Sequence, residues 1–254
     1  MPVAWPLAGL AITALLYAVG RRPSSAARGD ACFYAGLGVV VVAIVGPVDD
    51  LADSLFWVHM SQHVLLTMVA PPLLLLGRPW PRAVRPLPLS ARRSLARALH
   101  ACRPLASPLA AFALFNVVLL TWHVPKLYDA TLHNAWVHEL EHLMFFVTAL
   151  VFWTHLVPTS RRPRLSDVQR IAYGVGAIVV GWTLGVTLGL ASHPLYAHYA
   201  ALGHRPGGIS ALADQQLAAG IMWVPASVPL TVAVFAAAYR LVEPTAARLR
   251  PRET

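Results

Sequence analysis

Seven apolar stretches, at about 3–20, 31–48, 54–77, 107–124, 137–157, 169–191 and 213–241, divide the chain, and the short segments between them hold nearly all of its arginines. Each stretch is long enough, or nearly so, to cross a hydrocarbon core of about 30 Å. In lipid a backbone must satisfy its own N–H and C=O groups, so stretches of this kind must be helices. Only 12% of the residues are charged and 57% are hydrophobic, against about 25% charged in soluble domains. The expectation is an all-α membrane protein, a seven-transmembrane-helix bundle forming a single polytopic domain over residues 1–254, without repeat or low-complexity tail.

Charge sets the orientation. The first apolar stretch has Arg21 and Arg22 after it and no basic residue before it, whereas a cleavable signal peptide carries its positive charge first. It therefore reads as a retained helix with its N-terminus outside. With that choice one side of the membrane receives Arg21, Arg22 and Arg28, then Arg78, Arg82, Arg85, Arg92, Arg93, Arg97 and Arg103. It also receives Arg161, Arg162, Arg164 and Arg170, and finally Arg240, Arg248, Arg250 and Arg252. Eighteen of 20 basic residues share that side and only Lys126 and Arg205 lie opposite, as expected if that side is cytoplasmic. The C-terminus is then cytoplasmic and the protein multi-pass. The net charge of +9 does not point to nucleic acid, because the cations sit in clusters between apolar runs with no interleaved aromatic residues. Seven of the 11 acids, Asp49, Asp50, Asp53, Asp129, Glu139, Glu141 and Asp214, fall on the outer side, giving a cation-attracting mouth.

Smaller features follow. Leu89 to His100 can form a short helix on the anionic inner leaflet, with Leu89, Leu95 and Leu99 on one face and Arg92, Arg93 and Arg97 towards phosphates; a solvated basic loop is the alternative. Pro71 with Pro72, and Pro225 with Pro229, break the third and seventh stretches and free backbone carbonyls. Cys32 and Cys102 are far apart and read as ordinary helix-end cysteines.

The chemistry lies in histidine spacing. His59 and His63 open the third stretch, and His138 and His142 the fifth, each pair four residues apart and so on one helix face. His59 and His63 come about 6 and 12 Å below the outer end of their helix at about 1.5 Å per residue. His123 ends the fourth stretch, His193 follows the sixth, and Asp214, Gln215, Gln216 and Met222 open the seventh, all on the outer side. Ionisable groups in a membrane are costly and face the bundle interior. Their convergence predicts one polar cavity. Imidazoles with Met60, Met68, Met144 and Met222 suit copper best, with zinc or haem iron as alternatives, and the acids would fix the histidine tautomers. Taken singly, Met60 and Met68 read as core and His193, before Pro194, as a cap or interface residue. Whether His193, His198 and Met60 take part stays open. His138-Glu-Leu-Glu-His142 also matches the zinc-protease pattern His-Glu-x-x-His, which makes an intramembrane protease an alternative.

The strings Asp49-Asp50-Leu51, Phe56-Trp57-Val58-His59-Met60-x-Gln62-His63 and Ala70-Pro71-Pro72 together resemble the CtaG family of cytochrome c oxidase assembly factors. Trp122-His123-Val124-Pro125 with Tyr128, His138 with Glu141-His142, Asp214-Gln215-Gln216 and Met222-Trp223-Val224-Pro225 extend the resemblance over about residues 45–240. The resemblance implies a seven-helix plasma-membrane protein, not an enzyme, that is needed to make active caa-type oxidase, through copper. It also implies a functional set of His59, His63, His123, His138, His142, Asp214 and Met222. The expected partners are an oxidase subunit that receives the metal and the lipid bilayer, with no nucleic acid; association into a homo-oligomer is left open. A haem-binding or haem-insertion protein with bis-histidine ligation is the second reading. A scaffold without metal is a further one.

Overall fold

Proline and a few polar caps decide where the helices start. The computed structural model describes residues 4–20, 27–157 and 164–249, all-helical with connecting turns and no strand among them. Arg21, Arg22, Arg161, Arg162, Arg250 and Arg252 of the orientation argument lie outside the described residues. The chain runs through α1 (Ala4–Val19), α2 (Ala27–Ile44), α3 (Pro47–Ala52) and α4 (Phe56–Val64), then a π-helical turn (Leu65–Val69) into α5 (Ala70–Leu76). It continues through α6 (Pro79–Val84), α7 (Leu89–Ala101), α8 (Pro108–Trp122), α9 (Pro125–His133) and α10 (Ala135–Trp153). The last helices are α11 (Asp167–Gly189), α12 (Ala197–Ala201), α13 (Ala211–Trp223) and α14 (Ser227–Leu249). Proline opens α3, α6, α8 and α9, where its missing N–H costs no helical bond. Side chains of Asn134 and Ser210 accept the first free N–H groups of α10 and α13, and Ser166 with Gln169 forms a capping box on α11.

Among the described residues five rods are long and apolar enough to cross a membrane: Ala27–Ile44, Phe56–Leu76, Ala135–Trp153, Asp167–Gly189 and Ala211–Glu243. Two expected spans, 3–20 and 107–124, fall on shorter helices. The described part of the first is α1, at 16 residues. The second is α8, at 15 residues, which turns by 73° into α9 where Pro125 ends the rod. The Phe56–Leu76 rod is the hub: 72% of its most apolar window is buried, against 33% or less for the other four. Its histidines are therefore interior groups.

Pro71 and Pro72 bend this hub as the sequence suggests, and the structure adds how the bend is satisfied. Proline cannot donate to the carbonyl four residues back, and the helix widens by one residue over Leu65–Val69, with Ala70 bonding back to Leu65. The Thr67 carbonyl, left without the Pro71 donor, accepts the indole N–H of Trp153 from α10 at 2.8 Å. A second break, between α13 and α14 at Pro225, is served likewise: the Trp182 indole of α11 donates to the Trp223 carbonyl at 3.1 Å.

At the Gly77 end of the hub, Tyr17 of α1 places its hydroxyl 3.0 Å from the Gly77 carbonyl. Arg82 of α6 bonds that hydroxyl and pairs with Asp30 of α2. Arg85 donates to the Gly20 carbonyl at 2.6 Å. The expected helix over Leu89 to His100 is α7; it buries no residue and exposes Leu89 and Leu99, while Arg92 turns back to the Leu87 and Arg85 carbonyls. Cys32 and Cys102 are both free.

Candidate metal centre

The opposite end of the hub holds the histidines, and its register is fixed from three sides. Helix α4 has no capping side chain of its own. The Asp214 carboxylate of α13 supplies the cap, accepting the backbone N–H groups of Phe56 and Trp57 at 2.9 Å each. Gln62, fully buried, donates to the Ala43 carbonyl of α2 at 2.6 Å and to the Asp49 carboxylate of α3 at 2.9 Å. Tyr199 of α12 donates its hydroxyl to the Ala52 carbonyl at 2.6 Å and meets His59 Nδ1 at 3.1 Å. Burial pushes the Tyr199 phenol well above its ordinary pKa, so it keeps its proton. That proton is committed to Ala52, so towards His59 the hydroxyl accepts. His59 therefore carries its hydrogen on Nδ1 and presents the Nε2 lone pair inwards. His123 is set the same way: Nδ1 donates to the Leu119 carbonyl at 2.7 Å and Nε2 is free to accept.

On α10, His138, Glu141 and His142 share the face that meets α4. Ring centres of His59 lie 4.5 Å from His63, 5.0 Å from His138 and 6.2 Å from His142, and His63 lies 5.4 Å from His142. Glu141 sits among them, fully buried, with one carboxylate oxygen 3.8 Å from His59 Nε2 and 3.7 Å from His63 Nε2. One nitrogen from each of His59, His138 and His142 and one Glu141 oxygen lie within 4.8 Å of one another. Donors around a tetrahedral ion, at about 2.0 Å per bond, stand about 3.3 Å apart, so modest rotation of the rings closes the set.

The polar atoms here lack partners. His59 Nε2, both nitrogens of His63, the Nε2 atoms of His123, His138 and His142, and both Glu141 oxygens are buried without a hydrogen bond. The neighbouring Thr131 hydroxyl is committed to the Tyr128 carbonyl at 2.7 Å. Each such atom costs about 1–3 kcal/mol. A buried carboxyl group among neutral imidazoles, most of whose inward atoms have no hydrogen-bond partner, suits a cation with nitrogen and oxygen ligands.

Of the seven residues named from sequence, His59, His63, His138 and His142 thus converge, and His123 joins through His63 at 6.4 Å between ring centres. Asp214 is occupied as the cap of α4. Met222 packs with Phe56, Met60 and Tyr128, and lines a cavity with His63 and His123. Glu141 and Tyr199 were not in that set. Glu141 was within reach of pattern reasoning, since it is three residues from His138 and next to His142. Tyr199 was not, because it reaches the site from a five-residue helix in a loop. Of the outer acids expected to steady imidazoles, Asp129 caps α12 instead, and the Asp53 backbone carbonyl faces His198.

The sequence profile of a family described as cytochrome c oxidase caa3 assembly factor matches residues 12–243. Uncharacterised proteins of Mycobacterium bovis and Mycobacterium tuberculosis are each 29% identical over 194 residues, covering 72% of this chain and 29% of theirs. An uncharacterised protein of Mycobacterium leprae is 25% identical over the same length. The chain spans less than a third of the length of these curated relatives. No solved structure matches it.

Proposed function

The chain belongs to the cytochrome c oxidase caa3 assembly factor family, and from that premise we propose that it holds copper in the histidine cage and delivers it to an oxidase subunit. His59, His138, His142 and Glu141 bind the ion, His63 stands beside them, and Tyr199 and Leu119 keep His59 and His123 in the tautomer that can ligate. When bound, the ion supplies the positive charge that Glu141 otherwise lacks. The carrying observation is the set of buried, unpartnered nitrogen and carboxylate atoms from two helices.

The bundle lies in the plasma membrane as seven spans, with α1 and α8 completing the five longer rods. The cage sits near the outer face, because the arginine-rich loops lie at the other end of the hub. The haem reading is less well supported. The cavity against His63 and His123 is about 50 Å³ and the one against His142 about 280 Å³, both below the roughly 300 Å³ or more that a ligand of drug size or larger needs. The protease reading needs Glu139 at the metal, but Glu139 stands outside the converging set and its place is taken by Glu141.

Metal analysis tests the proposal. Purified protein should hold copper, and the double variant His59→Ala, His138→Ala should lose it. Wild-type protein without copper, or a double variant that retains it, would sink the reading.

A further inference from the structure

Beside the cage, on the far side of His63, lies the cavity of about 50 Å³, lined among others by Met60, His63, Met68, His123 and Met222. It holds a few waters or one ion and little else. Its chemistry differs from that of the cage. Among the described residues no carboxylate lines it. The imidazoles at its wall, His63 and His123, have buried, unpartnered nitrogens; the Thr67 and Ser227 hydroxyls there donate to the His63 and Trp223 carbonyls at 2.7 and 2.6 Å, which leaves the thioether sulfurs as the other soft ligand atoms. The two imidazole centres stand 6.4 Å apart, about the limit for one ion held at about 2.0 Å by a nitrogen from each, so the rings must swing together by about 1 Å for a third ligand to join.

We propose that this cavity is a second metal subsite, in which His63, His123 and the Met222 thioether bind one soft monovalent cation such as Cu(I), while the cage takes a divalent ion. The proposal rests on the reading of the cage as a metal centre and divides the histidines between two ions. Burying an ion in a low-dielectric interior is costly, and the cost is least for a single charge when every ligand is neutral. Thioethers select soft Cu(I), whereas imidazole with carboxylate suits divalent ions. His63 belongs to both: its Nε2 lies 3.7 Å from Glu141, and the same ring forms part of the cavity wall. Rotation of that one side chain can therefore turn its nitrogens towards either subsite.

The test uses the purified full-length chain in lipid nanodiscs, titrated with Ag(I), a soft ion that does not change oxidation state, and with Zn(II). Wild-type protein should bind one of each at the same time, and X-ray absorption at the silver edge should show a sulfur neighbour. Met222→Leu conserves volume and leaves the fold intact; it should weaken Ag(I) about tenfold or more and remove the sulfur signal, with Zn(II) unchanged. His138→Ala should do the reverse. Mutual exclusion of Ag(I) and Zn(II), no sulfur in the wild-type spectrum, or unchanged Ag(I) binding in Met222→Leu would overturn the second subsite and leave the cage standing. Binding of neither ion would overturn both.

Discussion

At one end of the hub, Arg82, Asp30, Tyr17 and the Gly77 carbonyl bond to one another. Towards the other end, roughly 20–27 Å away at about 1.5 Å per residue, imidazoles and a carboxylate crowd together with most of their inward atoms unpaired. Both clusters place charged or polar groups inside an apolar bundle. The first contains donor and acceptor in balance, and its contribution is to the fold. The second leaves most of its inward nitrogen and oxygen atoms without a hydrogen-bond partner. Such an arrangement is what the proposed metal site requires. Removing a group should therefore cost stability at the arginine end and metal at the histidine end.

The comparison is broken most directly at Asp30. Asp30→Ala leaves Arg82 without its carboxylate; both side chains are about 15% exposed, so the loss should be about 1–3 kcal/mol, read as a lowered midpoint of unfolding in detergent with metal content unchanged. Glu141→Gln should do the opposite. It replaces a buried carboxyl group whose oxygens lack a hydrogen-bond partner, so metal-free protein should be at least as stable as wild type, while copper binding weakens by about 100-fold, the upper range for altered metal surroundings. A Glu141→Gln protein that unfolds more easily than wild type would show that the carboxylate is already satisfied and that the contrast between the ends is false. Tyr199→Phe is a finer probe. It frees the His59 tautomer without removing a ligand, so metal affinity should fall about tenfold, measured by competition with a chelator.

Histidine spacing was enough to place two pairs on two helix faces, because the α-helical period is fixed by geometry. It was enough also to put them at the same end of the bundle, because the cations fixed which stretches run in parallel. It could not assign Asp214. A carboxylate at the head of a membrane helix can ligate a cation or cap a neighbouring helix, and the choice depends on a contact 158 residues away, with Phe56. Nor could it foresee the bend into α9, since a rod that ends at Pro125 and one that merely kinks there have the same composition. Pro71 and Pro72 announced a break, but the indole that satisfies it comes from Trp153, one of eight tryptophans with no local mark to distinguish it.

Two smaller tests sharpen the account of how the cage is held. Asp214→Ala removes the cap of α4 and should cost about 1 kcal/mol, with a modest loss of metal affinity because the histidines lose their register; an effect on metal without any on stability would return Asp214 to the ligand set. The smallest effect is expected at Asp49, whose carboxyl is lifted by burial above the ordinary carboxylate range, although Gln62 opposes the lift. A raised folded value means that its stabilising effect is present at low pH and is lost as pH rises through that value. Asp49→Asn, which keeps a partner for Gln62, should flatten that slope in unfolding midpoints measured across mildly acidic pH.

The π-helical turn after His63 has a consequence for how this span can be altered. It is one surplus residue in an otherwise regular spiral, and each residue is worth about 100° of rotation. The histidine-bearing half and the proline-bearing half are thus keyed to their neighbours separately, like two cams on one shaft. Deleting a single residue between Leu65 and Val69 would give a smoother helix whose two halves could no longer both face their own partners.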